Sequence, residues 1–372
     1  MYRICKIIFL VFIFIVGCTP DGRYGPKSGN CGFIDKTGKF VIGPKFNNAM
    51  PFNENLAAVC VRRFGKGQWG FIDKAGKYIV KPRYIRVKSF SDGYAGVYEG
   101  VKRAAFIDRN GQNVFNKWFE DAGNFSEGLA PVRINSKMGF INERGDIVIE
   151  PQFLYAASFS EGMALVMDTQ DGDKGFIDKS GNIVIAMKFK YADYFSEGLA
   201  SVMTWANESD HNIIGDDKWG YINKTGEYVI TPAYDIVENF SEGLAAVQIW
   251  GNNGNGTCKY IDKSGNTMID LQITMGDCFS EGLACVYAGH IGFGYIDKKG
   301  SWIISPQFFE AKDFHDGLAA VNIGPIETVG RWGFIDKTGN VIIKPQFGYV
   351  SDFHEGLAVA IIGTWKRKFP QR

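Results

Sequence analysis

The stretch Trp69-Gly70-Phe71-Ile72-Asp73-Lys74-Ala75-Gly76 returns at Trp332-Gly333-Phe334-Ile335-Asp336-Lys337-Thr338-Gly339 with one change. Its central aromatic recurs at Phe33, Phe71, Phe106, Phe140, Phe176, Tyr221, Tyr260, Tyr295 and Phe334, in steps of 34 to 45 residues. A second signature, Phe-Ser-Glu-Gly-Leu-Ala-x-Val, alternates with the first and opens at Phe125, Phe195, Phe240 and Phe279. Self-similarity at such a period marks a repeat architecture, here nine copies of a unit about 35 to 45 residues long.

Each copy reads as strands and turns. Phe71-Ile72-Asp73 and Tyr78-Ile79-Val80 are β-branched and aromatic runs around Lys74-Ala75-Gly76-Lys77. Asp before a short loop, with Gly three residues on, is the chemistry of a type I turn closed by a Gly at positive φ. The first signature is therefore a hairpin. Pro44, Pro82, Pro151, Pro232, Pro306 and Pro345 end its second strand, because proline has no N–H to continue the ladder. The second signature is a Ser-Glu-Gly turn leading into a strand. Val132-Arg133-Ile134 and Gly139-Phe140-Ile141 are separated by four residues, a hairpin spacing. The unit expected is a three-stranded meander: Gly-Leu-Ala-x-Val, then Trp-Gly-Phe-Ile, then the strand that ends near proline.

Trp69 and Phe71 point to one face of their strand and Ile72 to the other, so both faces are apolar. Two apolar faces imply that units stack on one another. Gly70 is placed for close approach of a neighbour. The hairpin Phe33 to Ile42 has no preceding strand of the second type, and the strand Gly356 to Ile362 has no following hairpin. Such ends suit either an open curved superhelix capped at each end or a closed propeller-like ring. Three strands are few for a propeller blade, which favours the open stack. The fold class is all-β, and residues 31–362 form one repeat domain.

Composition agrees: 45% apolar residues, 30 Phe and 46 Gly describe a folded chain with many turns. The formal charge of +1 leaves no electrostatic footprint for nucleic acid. Arg3 and Lys6 precede the apolar run Ile7 to Val16, too short to span a bilayer and suited to a secretory signal over residues 1–17. Ile15-Val16-Gly17-Cys18 resembles the lipobox of bacterial lipoproteins. That resemblance implies cleavage before Cys18, lipid on Cys18, and a bilayer-anchored protein at the cell envelope. Thr19, where an Asp would retain a Gram-negative lipoprotein at the inner membrane, points to the outer membrane. Residues 18–30 are then a linker, and residues 363–372, with Lys366, Arg367, Lys368 and Arg372, a basic tail.

The two signatures together resemble the bacterial WG-repeat family, also called KWG repeats after starts such as Lys218-Trp219-Gly220. The resemblance implies the architecture, with Trp69, Gly70, Trp219, Gly220, Trp332 and Gly333 as structural residues, and says little of activity. Ala104-Ala105 and Cys258-Lys259 depart from Trp-Gly, so stacking is least secure in those units.

Glu127, Glu161, Glu197, Glu242, Glu281 and Glu355 share one slot, which Asp92 and Asp316 fill elsewhere. Asp35, Asp73, Asp108, Asp178, Asp262, Asp297 and Asp336 share another. An active site needs a few groups gathered at one place. A residue repeated along an array instead has a structural task, here turn hydrogen bonding. His315 and His354 replace the Ser of the second signature. His211 lies in the longest insertion, near Asp210, Asp216 and Asp217; Asp168, Asp171 and Asp173 only partly match a calcium loop. The five remaining cysteines, an odd number, read as apolar fillers, with Cys258, Cys278 and Cys285 near enough for one local bridge. No enzyme motif, cofactor or metal is implied. The function expected is a non-catalytic, lipid-anchored scaffold that binds a protein partner. The alternative is a glycan-binding module using Trp118, Trp205, Trp250 and Trp365.

Overall fold

The computed structural model describes residues 31–63, 65–168, 172–204, 217–251, 256–324 and 331–363. In it the chain folds into nine antiparallel sheets, the blades of a closed β-propeller. In blade 2, strands Asn48–Ala49, Leu56–Arg63, Lys66–Asp73 and Tyr78–Tyr84 pair in that order. Blades 3 to 9 begin at Arg86, Asp121, Tyr155, Tyr191, Ile236, Met275 and Glu310. The expected three-stranded meander is thus corrected: eight of the nine blades have four strands. The added strand has two residues in seven blades and six in blades 8 and 9, Met275–Ser280 and Glu310–His315. In blade 4 it is Asp121–Ala122, which pairs with Arg133 and Val132. Two residues are too few to carry a period-2 pattern.

Blade 1 is built from both ends of the repeat domain, in the order Phe40–Phe46, Cys31–Ile34, Ala358–Ile361, Tyr349–Val350. Cys31 pairs with Ile361, and Ile34 with Ala358. The ring is therefore the arrangement found, and the open superhelix is not. An open stack would leave the Cys31–Ile34 edge unpaired, a liability that closure removes.

Nine apolar clusters fill the nine spaces between blades. Cys60, Trp69 and Phe71 of blade 2 meet Phe90, Val97 and Ile107 of blade 3. Phe334 and Phe347 of blade 9 meet Ile34 and Ala360 of blade 1, so the last space is filled like the others. The aromatic of the first signature always stacks on the Phe of the second signature one blade on. Phe140 and Phe159 have centroids 4.9 Å apart, and Phe33 and Phe52 4.8 Å apart. Where Tyr replaces Phe, its hydroxyl donates across the interface: Tyr221 to the Glu238 carbonyl, Tyr260 to that of Asp277, Tyr295 to that of Lys312. Trp69 and Trp332 are buried, while Trp219 is half-buried against Tyr191.

The Gly of Trp-Gly admits backbone, and the backbone belongs to its own blade. Trp69 pairs with Tyr84 but Phe71 with Val80, so the fourth strand bulges over Gly70. A Cβ on Gly70 would stand 2.3 Å from the Val80 carbonyl oxygen; at Gly220 and Gly333 the equivalent clearances are 2.5 and 2.4 Å. Blade 3, with Ala105 here, has no fourth strand; only isolated bridges Ala104 to Phe119 and Ile107 to Asn113 remain. Blade 7 keeps its fourth strand despite Lys259, which pairs with Asp270 at 2.8 Å. Stacking is kept in both units, with Phe106 on Phe125 and Tyr260 on Phe279 each at 5.0 Å, so blade 3 loses a strand and not its packing.

Gly70→Ala is expected to destabilise the protein by about 1–3 kcal/mol through forced displacement of the fourth strand. Gly43→Ala, where nothing lies within 4 Å, is expected to stay within about 0.5 kcal/mol of the parent. Urea denaturation midpoints of the two variants check the contrast.

Candidate functional site

The Ser-Glu-Gly turns are two-residue hairpins with both central residues at positive φ: Glu127 at 57° and Gly128 at 84°. Ser126 and Leu129 exchange both backbone hydrogen bonds across the turn, at 2.9 and 3.2 Å. An acidic side chain in this left-handed conformation has a purpose in the next blade. Glu127 accepts the N–H of Gly162 at 3.0 Å, and Glu161 that of Gly198 at 2.9 Å. The chain of acceptors runs all the way round, through Glu54, Asp92, Glu197, Glu242, Glu281 and Asp316. Glu355 closes it by accepting the N–H of Asn55 at 3.0 Å.

A basic side chain locks eight of the nine links. Lys179 reaches the Glu127 carboxylate at 3.0 Å and its carbonyl at 3.1 Å. Lys337 does the same at Glu281, at 3.1 and 2.8 Å. Arg109 serves Glu54, Lys224 Glu161, Lys263 Glu197, Lys298 Glu242 and Lys74 Glu355, while Lys36 donates to the Asp316 carbonyl. Burial pushes the Glu127 carboxyl up, but Lys179 and the Gly162 N–H outweigh it and hold it below the ordinary range. The Asp slot of the first signature is as local as expected. Asp178 Oδ1 accepts the N–H of Ser180 and Asn182 at 2.9 Å, and Gly181 turns at φ 85°.

One link is different. The residue that would serve Asp92 is Glu143, an acid in the slot of the lysines. Among the described residues no ion pair joins Asp92 or Glu143 to a basic side chain. A wide-open surface depression of about 490 Å³ lies there, lined by Asp92, Gly93, Tyr94, Asp108, Arg109, Asn110 and Glu143. Tyr94 takes the place of the usual Leu, stacks on Phe125 at 4.7 Å, and donates to the Glu143 carbonyl at 3.4 Å. Neither Tyr94 nor Glu143 stood out in the sequence reading. Superposing the nine copies slot by slot would have shown both, as Tyr where Leu recurs and Glu where Lys recurs.

The aromatic candidates do not gather. Trp118 of blade 3 is 39% exposed, with the Arg103 guanidinium 3.9 Å from its ring. Trp250 of blade 7 is 48% exposed, one face over Gly256. Three blades separate them. Trp205, Trp365, Cys18, His211, Asp171 and the basic tail lie outside the described residues; Asp217 is paired with Lys190. His315 and His354 occupy the serine slot and stack at 5.5 Å. None of Cys31, Cys60, Cys258, Cys278 and Cys285 is in a disulfide, so the local bridge is not made; burial pushes the Cys278 thiol up to about 12.

The family described as "WG containing repeat" matches residues 32–62, 69–100, 105–137, 138–169, 175–204, 219–252, 260–288, 293–324 and 332–363. The chain belongs to the WG-repeat family. Each match corresponds to one unit of the ring. A search of curated proteins returns no match. Among solved structures the chain is similar to the crystal structure of BamB from Moraxella catarrhalis, at 8% identity and a TM-score of 0.40, over 88% of this chain and 99% of that one.

A second acidic group marks this WG-repeat ring, on the segments just before the second-signature Phe. Asp277, Asp313 and Asp352 of three successive units, with Glu238 beside them, face one opposing cation, Lys312. One carboxylate oxygen each of Asp313 and Asp352 is buried without a hydrogen-bond partner. Burial first, then Asp277, Asp352 and Glu238, push the Asp313 carboxyl up to about 8. A carboxyl raised on folding binds its proton more tightly in the native state. Its contribution is complete below the ordinary range and lost as pH rises through the folded value. Thermal melts are therefore expected to show stability falling between about pH 4 and pH 8. Asp313→Asn should flatten that slope, and an unchanged slope would remove Asp313 as its source.

Proposed function

We propose that the protein is a non-catalytic scaffold that is exported, anchored in a bilayer through lipid on Cys18, and displayed at the envelope to bind a protein partner. The observation that carries the partner reading is a recurrent apolar strip. The fourth strands expose Ile147 and Val148 in blade 4, Ile183 and Val184 in blade 5, and Tyr228 and Val229 in blade 6. Trp302 and Ile303 in blade 8, and Val341 and Ile342 in blade 9, sit at the same place. Single exposed apolar residues are ordinary, but the same exposed pair on the outer strands of five blades is a repeated apolar surface suited to a protein partner. The acids that suggested catalysis are engaged in turns and in the links between blades, which supports a non-catalytic reading. The anchor rests on the lipobox-like Ile15-Val16-Gly17-Cys18; no helix among the described residues is long and apolar enough to cross a membrane.

Two measurements test this. Mass spectrometry of the mature N-terminus is expected to find Cys18 first and lipidated, and Cys18→Ser should release the protein from membranes. Photoreactive residues at Val148 and Val184 are expected to give a discrete protein adduct in envelope membranes. Excess unlabelled protein should compete it away, and Ile183→Glu should weaken it without changing the melting temperature. No competable adduct at either position would sink the partner reading.

A further inference from the structure

We infer that the ring is latched by a proton: when the carboxyls that meet between blades 9 and 1 all ionise, residues 349–361 part from Cys31–Ile34 and the ring opens. This goes beyond the partner reading and does not depend on it. Elsewhere neighbouring blades are tied together by the chain. Blade 1 is the exception, because residues 349–361 run on from blade 9 and meet Cys31–Ile34 through only four residue pairs, from Cys31 with Ile361 to Ile34 with Ala358. Strain on residues 349–361 is therefore released at that pairing.

Asp352 lies within residues 349–361, and Asp313 of blade 9 faces it. Each of the two buries its Oδ1 without a hydrogen-bond partner. Asp277 of blade 8 and Glu238 of blade 7 add negative charge to the same place. Among the described residues that face Asp313, Lys312 alone is a cation. It donates to the Val350 carbonyl at 3.0 Å and stands 3.8 Å from Asp352 Oδ1, outside hydrogen-bond reach. Buried carboxylate oxygens without donors are costly. A proton on Asp313 removes one charge and supplies an O–H donor. Burial first, then the neighbouring acids, hold that proton up to about 8. Cys278, Cys285, Tyr260 and Tyr295 also face Asp313, and burial pushes all four above their ordinary values, so they stay neutral here. The stacked pair His315 and His354 acts with the opposite sign, since an imidazole loses positive charge as pH rises.

Cys31 reports the opening. It is fully buried against Ile361, and burial pushes its thiol up to about 12, so it reacts only once that pairing parts. Cys60 is as deeply buried in blade 2, whose strands come from one run of chain, and reports wider unfolding. In the released state Asp313 regains the ordinary carboxyl value. Opening therefore grows with pH from the ordinary range up to about 8 and levels above it.

Maleimide labelling of the full-length protein, followed peptide by peptide by mass spectrometry from about pH 5.5 to about pH 8.5, tests this. Dividing the Cys31 rate by the Cys60 rate removes the thiolate chemistry common to both. The ratio is expected to rise by up to about tenfold per pH unit and to level above about pH 8. Hydrogen exchange of residues 349–361 should follow the same course after correction for its intrinsic pH dependence. Asp313→Asn should keep the ratio low and flat. Asp352→Asn, which removes the facing charge, should lower it at high pH by roughly several-fold. A flat ratio in the parent protein overturns the inference. So does an equal rise at Cys31 and Cys60, which would mean unfolding throughout, or the parent's pH dependence persisting in both variants.

Discussion

Antiparallel pairing of Cys31–Ile34 with Ala358–Ile361 joins the two ends of the repeat domain into one sheet, and the ring depends on that pairing. A closed array of nine units has nine interfaces, whereas an open one has eight. The ninth interface buries Ile34, Phe334, Ile343, Phe347 and Phe353. That interface is packed like the other eight, so closure leaves no blade face open to water. Closure also fixes the angle between every pair of blades, and the linked carboxylates inherit a geometry that is the same at each turn.

Repetition divides the residues of this protein into two groups. Those that recur build the ring: the Gly under the bulged strand, the stacked aromatics, the turn acids and the lysines that lock them. Those that break the pattern are free of that duty. Blade 3 concentrates the breaks. It has Ala105 for Gly, no fourth strand, Tyr94 for Leu and Asp92 for Glu, and its neighbour carries Glu143 for Lys. A backbone that tolerates such losses in one blade does so because the eight others hold the frame.

Much of this was legible in the residues. The Asp-x-x-Gly turn, the Ser-Glu-Gly turn, the hairpins and the apolar character of both strand faces follow from local chemistry, and each is found. Complementary ends were legible too, but their consequence was not, because whether Cys31 meets Ile361 depends on the summed rotation of nine units. The added first strand was hidden by its length in most blades: Tyr155–Ala156 has no periodicity to read. The chain of linked carboxylates was hidden for another reason. That Glu127 accepts from Gly162 and pairs with Lys179 is a relation between residues 35 and 52 positions apart, set by the stacking of blades. The depression at Asp92 inherits the same difficulty, since its two acids belong to separate units.

Closure has a consequence in time. A ribosome makes the Cys31–Phe46 hairpin before every other strand of the ring, and Ala358–Ile361, which that hairpin needs, after them all. At about 5–20 residues per second the gap is on the order of 15–60 s. Blades 2 to 9 can assemble in the order they emerge, each resting on the one before. Blade 1 cannot, and until the end arrives its first strand is an uncovered edge with a bare thiol at Cys31. The ring is closed by the last of its own strands to be made, so a product cut short before Ala358 keeps blade 9 but loses half of its first blade.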